Sequence, residues 1–344
     1  MTVTPETLRL LADLRRDVDR VTDQRVDAAL AAYVAAWEGI EPGLAAAVTA
    51  ALAGSATGRI TRAMLTRDRA LAAALDDALT ELSRVRVETV RGITSDIGPA
   101  VTGAAAGQAR VLGSQLPPGH RAPTTAAQQV LDEIVRRAAQ RIHKASWPIP
   151  AMQVARMKAE LIRGVAAGSN PRETAARIMA RTAREFVGGW SRAETIARTE
   201  TLDAYRRAQE ATDRANPDVV AGWVWMSALS PRSCPACIGR HGTRHPIDEP
   251  GPEGHQRCRC ARVTITRSWA DLGYRGVTEP DDVFPDADAW FDQLGAETQR
   301  HILGPARYAA WVEGRYPREQ WATKQTNPGW RPSWVTSPAP AGAK

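Results

Sequence analysis

The sequence predicts an α+β protein, with a long helical N-terminal region followed by a small module of helices and antiparallel strands that carries a Cys/His knuckle. Apolar residues recur at three- and four-residue steps through the N-terminal half, whereas the chain after Pro217 alternates and is rich in β-formers. The aromatic composition changes too, because most of the 11 tryptophans lie beyond residue 185. We therefore divide the chain into a helical region at 1–150, a mixed region at 151–324 and a tail at 325–344.

The first helix is predicted to begin at Pro5, after Thr4 as its cap. Leu11, Leu14 and Val18 mark its apolar face, and the glycines and proline within 39–43 predict its end. Residues 44–113 are Ala-rich and fit two or three further helices. The segment at 116–123, with three prolines and a glycine, predicts a break.

The next helix is expected to begin after a cap at Thr124 or Thr125, and another at about 151–167. A third follows the turn at 168–170, with Pro171 in the first helical position. A fourth is expected from Arg192 to about Ala215, with Ser191 as its cap. Strands are predicted within 219–229 and 260–269, and helices from Ala287 and from Pro305. The Pro- and Gly-rich residues from Gln325 onward predict an extended, disordered tail.

The charge and the cysteine distribution limit the functional classes to which the protein could belong. A net charge of +7 and a pI of about 9.6 favour polyanions such as nucleic acid, although an Arg-rich solvated surface explains the same balance. No stretch has the apolar length of a membrane span, and the charged N-terminus does not resemble a signal peptide. We therefore expect a soluble protein made in a cytoplasm. All four cysteines fall between 234 and 260, which favours a metal site over a disulfide framework.

The clustered donors are Cys234, Cys237, His255, Cys258 and Cys260. A CxxC turn places two thiolates on one side of a knuckle, and a second donor group some twenty residues later is typical of a structural zinc site. The first three cysteines are predicted ligands, with either His255 or Cys260 as the fourth. A metal-free cluster of packed or disulfide-linked thiols is the alternative. Zinc held by four protein ligands leaves no open position for a substrate, so a metallohydrolase is not expected.

Other polar residues suggest no catalytic site. His241 and His245 lie in the same loop and are expected to be surface or hydrogen-bonding histidines. Glu194 and Arg198 stand four apart on one helix face and predict an ion pair. Glu200 is interpreted as part of a structural buttress rather than as a catalytic glutamate, because neither a nucleophile nor a phosphate loop accompanies it. We therefore predict no catalytic residue and no enzymatic activity.

Four features follow one another in a characteristic order: SRAETIARTET at 191–201, a tryptophan-bearing strand, RSCPACIGRHG at 232–242 and HQRCRC at 255–260. Together they resemble the phage Mu F-like head morphogenesis, or minor capsid, family, and residues 289–314 are similar to the helical end of the same proteins. The chain departs from the family pattern at Ser230-Pro231, where many relatives carry an acidic residue, and at Gln256 and Arg257, where Pro and Asn are usual. Neither departure removes a candidate ligand.

The resemblance implies a structural minor capsid protein of a tailed bacteriophage, present in the host cytoplasm during assembly and then in the virion at the capsid interior or portal vertex. The implied partners are the portal protein and/or the major capsid protein, with non-specific contact to packaged DNA and none to a membrane. Residues 1–150 would then dock to portal or capsid, and 151–324 would form the Mu F-like module. A zinc-ribbon-type nucleic-acid-binding regulator is the alternative.

Overall fold

Two very long helices dominate the N-terminal part of the chain in the computed structural model, which describes residues 3–163, 171–327 and 330–342. Helix α1 spans Pro5–Ala53, a single turn α2 spans Met64–Arg67, and α3 spans Arg69–Gly113. The predicted end of the first helix at 39–43 is wrong, because α1 runs through Pro42. Burial explains this continuity. Trp37, Leu44 and Val48 are buried on the same helix, and each large apolar side chain contributes about 1.5–3 kcal/mol, which together exceeds the cost of about 3 kcal/mol for an internal proline.

Four further helices follow the predicted break at 116–123, which the structure confirms. They begin close to the predicted positions, with two differences. Thr124 does not cap the next helix, because its backbone N–H donates to Oδ1 of Asn216 at 2.9 Å. Ser191 lies inside its helix rather than at the cap, and its carbonyl accepts from Thr195 Oγ1 at 2.8 Å. The predicted turn at 168–170 lies outside the described residues. The four helices are α4 (Gln128–Ser146), α5 (Ile149–Arg163), α6 (Pro171–Val187) and α7 (Gly189–Arg214).

The chain forms two compact units, each assembled from separate segments. The helical unit comprises residues 20–97 and 137–200, and the mixed unit comprises 1–19, 98–136 and 201–344. In the helical unit the core includes Trp37 and Phe186, whose ring centroids lie 5.4 Å apart. The sequence predicted a boundary at residue 150 and a docking role for the residues before it, and both stay predictions. Among the described residues, no helix combines the length and apolarity that a bilayer crossing requires.

The mixed unit contains the antiparallel strands. Strands β1 and β3 pair along their length, with Trp223 opposite Thr264 and Trp225 opposite Arg262, and β2 pairs with the other edge of β1. The predicted strands and the helices at Ala287 and Pro305 are confirmed, as is the α+β fold class. The elements are β1 (Val220–Met226), α8 (Pro235–Arg240), β2 (Arg244–Pro246), β3 (Ala261–Thr266), α9 (Ala287–Asp292), α10 (Ala296–Leu303) and α11 (Pro305–Val312).

The C-terminal segment differs from its prediction as a disordered tail. Strands β4 (Ala322–Asn327) and β5 (Trp330–Thr336) form an antiparallel hairpin. Apolar anchors explain the order, since Trp321 is buried beside Phe291 and Trp334 packs on the cysteine cluster. The backbone N–H of Ser337 also donates to the carbonyl of Trp321 at 3.0 Å. Proline and glycine content suggested disorder here, but tryptophan burial overrides it.

A buried ion pair joins α7 to β3 inside the mixed unit. Nε of Arg262 donates to Oδ2 of Asp213 at 2.6 Å, and both side chains are fully buried. The other carboxylate oxygen of Asp213 accepts from Thr264 Oγ1 at 2.7 Å and from Gln108 Nε2 at 2.8 Å. The Arg262 guanidinium also lies 4.7 Å from the ring centre of Trp223. The desolvated charges are therefore compensated on every side, as a buried pair requires.

Asp213→Asn is expected to destabilise the chain by about 3–5 kcal/mol, because it leaves the Arg262 charge buried without a partner. Urea denaturation followed by tryptophan fluorescence measures the change. Asp13→Asn is the matched control, since Asp13 pairs with Arg9 at a solvent-exposed position and such pairs contribute at most about 1 kcal/mol. Equal effects of the two substitutions would contradict the assigned role of Asp213.

Candidate metal centre

All five predicted donors come together in the mixed unit. Nε2 of His255 lies 3.1 Å from Sγ of Cys234 and 3.4 Å from Sγ of Cys237. Sγ of Cys237 in turn lies 3.7 Å from Sγ of Cys258. The donor atoms fall into two mutually close sets, one with Cys234, Cys237 and His255 and one with Cys237, Cys258 and Cys260. Because Cys237 belongs to both sets, the five donors form one continuous cluster, and the choice between His255 and Cys260 stays open.

Helix α8 positions the first pair of thiols. Cys234 is its N-cap, and Pro235 occupies the first helical position, where its missing N–H costs nothing. Sγ of Cys234 accepts from the backbone N–H of Cys237 at 3.4 Å. The turn therefore holds both sulfurs on the same side, as the CxxC spacing predicts.

The second group of donors is held from behind by α7. The guanidinium of Arg206 is buried and donates from Nε to the carbonyl of Cys260 at 2.9 Å, and from Nη2 to the carbonyl of Cys258. His255 is oriented by its own hydrogen bond, since Nδ1 lies 2.6 Å from the carbonyl of Gln256. A proton on Nδ1 makes Nε2, which faces the sulfurs, the nitrogen that would bind an ion once its own proton is displaced.

The close approach of the donors shifts their pKa values in opposite directions. The hydrogen bond from Cys237 lowers the pKa of Cys234 to about 5, and the same residue lowers the pKa of Cys258 well below that of an ordinary thiol. The pKa of Cys237 is raised in exchange, chiefly by its bond to Cys234. Burial lowers the pKa of His255, but its bond to Cys234 and the charge of Cys258 outweigh burial and raise it to about 9. The thiolate is the metal-binding form of cysteine, and the lowered pKa values favour it at Cys234 and Cys258, whereas the raised pKa of Cys237 favours the thiol there.

The surroundings fit a bound ion. A Cβ added to Gly254 would lie 2.3 Å from Sγ of Cys258, so only glycine leaves this sulfur its place. The distance between Cys237 and Cys258 sulfurs, 3.7 Å, equals the edge of a tetrahedron with Zn–S bonds of about 2.3 Å. Among the described residues, the buried indole N–H of Trp225 has no hydrogen-bond partner of ordinary geometry. Cys237 and Trp225 lower the pKa of Cys260, but its bond to Cys258 and its burial outweigh them and raise that pKa well above the ordinary thiol value. A bound cation would favour the thiolate of Cys260, and the indole N–H could then donate to it.

The C-terminal hairpin covers the cluster. Trp334 packs against the cysteines together with Trp223 and Trp225, and its backbone N–H donates to the carbonyl of Glu253 at 2.9 Å. Arg240 lies between two of these rings, 4.1 Å from the centre of Trp334 and 5.5 Å from that of Trp225. The site is thus enclosed by aromatic side chains, one of which comes from a segment about a hundred residues beyond the first cysteine.

The remaining predicted polar residues have defined roles. Nδ1 of His241 accepts from the backbone of Ser227 at 3.0 Å, and its Nε2 lies 2.8 Å from the carbonyl of Pro285. His245 stacks on Trp223 with ring centres 4.1 Å apart and bonds Glu249 at 2.8 Å. Both are hydrogen-bonding histidines, as expected, although His241 is buried.

The ARTE segment lies on α7 within the helical unit. Arg198 pairs with Glu194 at 2.9 Å, as the spacing predicts, and also with Asp23 at 2.7 Å. Glu200 is buried and accepts from Arg141 Nε at 2.7 Å. These ion pairs join α7 to α1 and α4, whereas the predicted buttress was expected to lock this helix against the sheet. Sequence reasoning missed the residues that hold the cluster, namely Arg206, Trp225, Gly254 and Trp334. Of these residues, only Arg206 has a sequence pattern that places it, because it stands seven residues from Asp213 and therefore lies on the same face of α7.

Comparison with known proteins gives one result that bears on this site. Residues 155–263 match the family model described as Phage Mu protein F like protein. These residues form a Mu F-like module. The module runs from α5 to β3 and includes all five donors. The resemblance is therefore confirmed for these residues, which are similar to a phage head-related family. No curated protein and no solved structure matches the chain.

One departure from the Mu F-like pattern has a structural consequence. Arg257 adopts φ of 60°, in the left-handed region that is strained for most residues but readily adopted by asparagine. The turn between His255 and Cys258 thus places an arginine in a conformation that asparagine adopts more readily. Asparagine, which is usual in the family at this place, fits the backbone found here.

Gly254→Ala is expected to displace Cys258 and lower the stability of the mixed unit by about 1–3 kcal/mol, as overpacking does in a close-packed interior. Thermal unfolding followed by tryptophan fluorescence measures the destabilisation. Gly103→Ala is the control, because a Cβ there meets nothing within 4 Å and alanine favours the helix. If Gly254→Ala melted like the control, the close packing against Cys258 would be wrong.

Proposed function

We propose that this chain is a structural minor capsid protein that acts in head morphogenesis of a tailed bacteriophage and has no enzymatic activity. The Mu F-like match over residues 155–263 carries this proposal. The five donors support a structural role, since all are protein side chains brought from two ends of one loop. An ion coordinated by four of them has no open position for a substrate.

The metal that the donor set fits best is Zn²⁺. Thiolate and imidazole ligands in a tetrahedral arrangement are typical of structural zinc. When bound, the ion supplies a cross-link between the start of α8 and the residues that precede β3. Cys234 and Cys237 would hold one side and Cys258 the other, with His255 or Cys260 completing the set. This cross-link stabilises a three-stranded sheet that has a small apolar core of its own.

The proposed partners are the portal protein and/or the major capsid protein, bound through the long helices within residues 1–150, at the portal vertex or inner capsid face. Non-specific contact with packaged DNA is consistent with the net charge of +7. The same charge also fits a zinc-ribbon-type nucleic-acid-binding regulator, so the two functions must be separated by where the protein is found.

Chelation of the purified chain, or the pair Cys234→Ser and Cys237→Ser, is expected to lower the melting temperature of the mixed unit by about 10 °C or more, because the folded state no longer gains the binding energy of the ion. Atomic absorption should find one zinc per untreated chain. A protein free of zinc whose melting is unaffected by chelators would contradict the metal assignment.

The pH dependence of zinc binding follows from the raised pKa of His255, about 9. If His255 is the fourth ligand, zinc must displace its proton, so affinity falls as pH decreases below that value, by about tenfold per unit for each proton displaced. If His255 is the ligand, His255→Ala removes this component and weakens binding, whereas Cys260→Ser leaves both nearly unchanged. If Cys260 is the ligand, Cys260→Ser is the variant that weakens binding. Comparing the two variants by competition with a chromogenic chelator therefore also identifies the fourth donor.

Mass spectrometry of gradient-purified particles tests the proposed function directly. We expect peptides of this chain in proheads and virions, at copy numbers far below that of the major capsid protein and comparable with that of the portal protein. A chain found only free in the cytoplasm, with no particle-associated fraction at any assembly stage, would contradict the proposal and favour the regulator.

A further inference from the structure

The connection between α1 and α3 is a basic loop, here called the arginine tip and defined as residues 54–69. It contains Arg59, Arg62, Arg67 and Arg69, all of them exposed, and a single carboxylate, Asp68. Asp68 is already engaged, because its Oδ1 accepts from the backbone N–H of Leu71 at 3.1 Å at the start of α3. The tip is therefore a local concentration of positive charge on the helical unit.

The arginines of the tip differ from several other exposed arginines of the same unit. Arg84, Arg163 and Arg177 each pair with a glutamate three or four residues away on their own helix. By contrast, the described structure gives none of the four tip guanidinium groups a hydrogen bond or an ion pair with a side chain. The charges of the tip are thus available to an external anion, whereas those of Arg84, Arg163 and Arg177 are locally neutralised.

The tip is also held in a fixed conformation. Ile60 and Leu65 are 2% and 7% exposed and belong to the core cluster of the helical unit. Ser55 Oγ donates to the carbonyl of Arg59 at 2.8 Å, and Thr61 Oγ1 accepts from the backbone N–H of Met64 at 3.3 Å. Two buried anchors inside a short loop reduce the conformational entropy that binding would otherwise cost.

We infer that the arginine tip binds the phosphate backbone of double-stranded DNA, independently of sequence. Guanidinium groups match phosphate oxygens with paired N–H donors, and release of counterions from the duplex drives the association. A polymer with repeated anionic groups can contact four separate cations, which a single small anion does less well. The inference rests on the proposed function, because it identifies the surface through which a head protein would touch packaged DNA.

The test uses the full chain and a fluorescein-labelled duplex of mixed sequence, with binding measured by fluorescence anisotropy over a salt series. The tip variant carries Arg59→Gln, Arg62→Gln, Arg67→Gln and Arg69→Gln. The control variant carries Arg84→Gln, Arg156→Gln, Arg163→Gln and Arg177→Gln, which removes the same net charge from exposed arginines that have acidic neighbours. Circular dichroism melting verifies that both variants fold.

We expect the tip variant to bind roughly tenfold more weakly at moderate salt, and the slope of log K against log salt to fall by about 0.9 for each phosphate that the arginines no longer neutralise. The control variant should keep most of the affinity and the slope of the unaltered chain. Absence of DNA binding by the unaltered chain, unchanged binding by the tip variant, or equal weakening of both variants would each overturn the inference.

Particle analysis separates this inference from the proposed function. If the tip variant binds DNA normally but is missing from particles, the tip docks a protein and the DNA inference is wrong, while the head function stands. If the unaltered chain binds DNA through the tip but never enters particles, the head function is wrong and the tip assignment stands.

Discussion

The mixed unit depends on the contacts that helix α7 makes with strand β3 and with the cysteines that precede this strand. Arg206 and Asp213 stand seven residues apart, close to two full turns, so both side chains leave α7 on the same face. Arg206 binds the carbonyls of Cys258 and Cys260, and Asp213 binds the side chains of Arg262 and Thr264. Because all these groups are buried, each charge is tolerable only while its partners stay in place.

In this arrangement the groups that position the backbone of the donor residues are different from the groups that surround the donor atoms. The carbonyls of Cys258 and Cys260 face Arg206, whereas their thiols are close to Cys237 on the side of α8. The hairpin closes the cluster through Trp334, which bonds the loop backbone at Glu253 and stacks on Arg240. The hydrogen bonds of Arg206 and the packing of Trp334 thus orient the residues that carry the donors, as outer-shell groups do around a metal site.

The sequence predicted the candidate metal ligands better than the residues that position them, here called the supports. Cys234, Cys237, His255, Cys258 and Cys260 were identified because ligand spacing is a local property of the chain. The supports were missed because Trp334 and Gly254 meet the cluster only through tertiary packing. The same limit explains the fold. Helix, strand and break positions followed local patterns, but the continuity of α1 through Pro42 and the order of the C-terminal hairpin were decided by buried tryptophans and their tertiary neighbours.

The two units are stabilised by different means, and this difference bears on a structural role. The helical unit has an extensive core of Leu, Val and aromatic side chains, typical of a fold stabilised by apolar burial. In the mixed unit the sheet is small, and its centre is occupied by thiols, tryptophans and a buried ion pair. Under the proposed function, an ion held by the cluster would add a cross-link to this small sheet, and a small sheet gains more from a cross-link than a large one does. The proposed structural role and the proposed metal therefore depend on the same residues, since an ion with four protein ligands has no open coordination position.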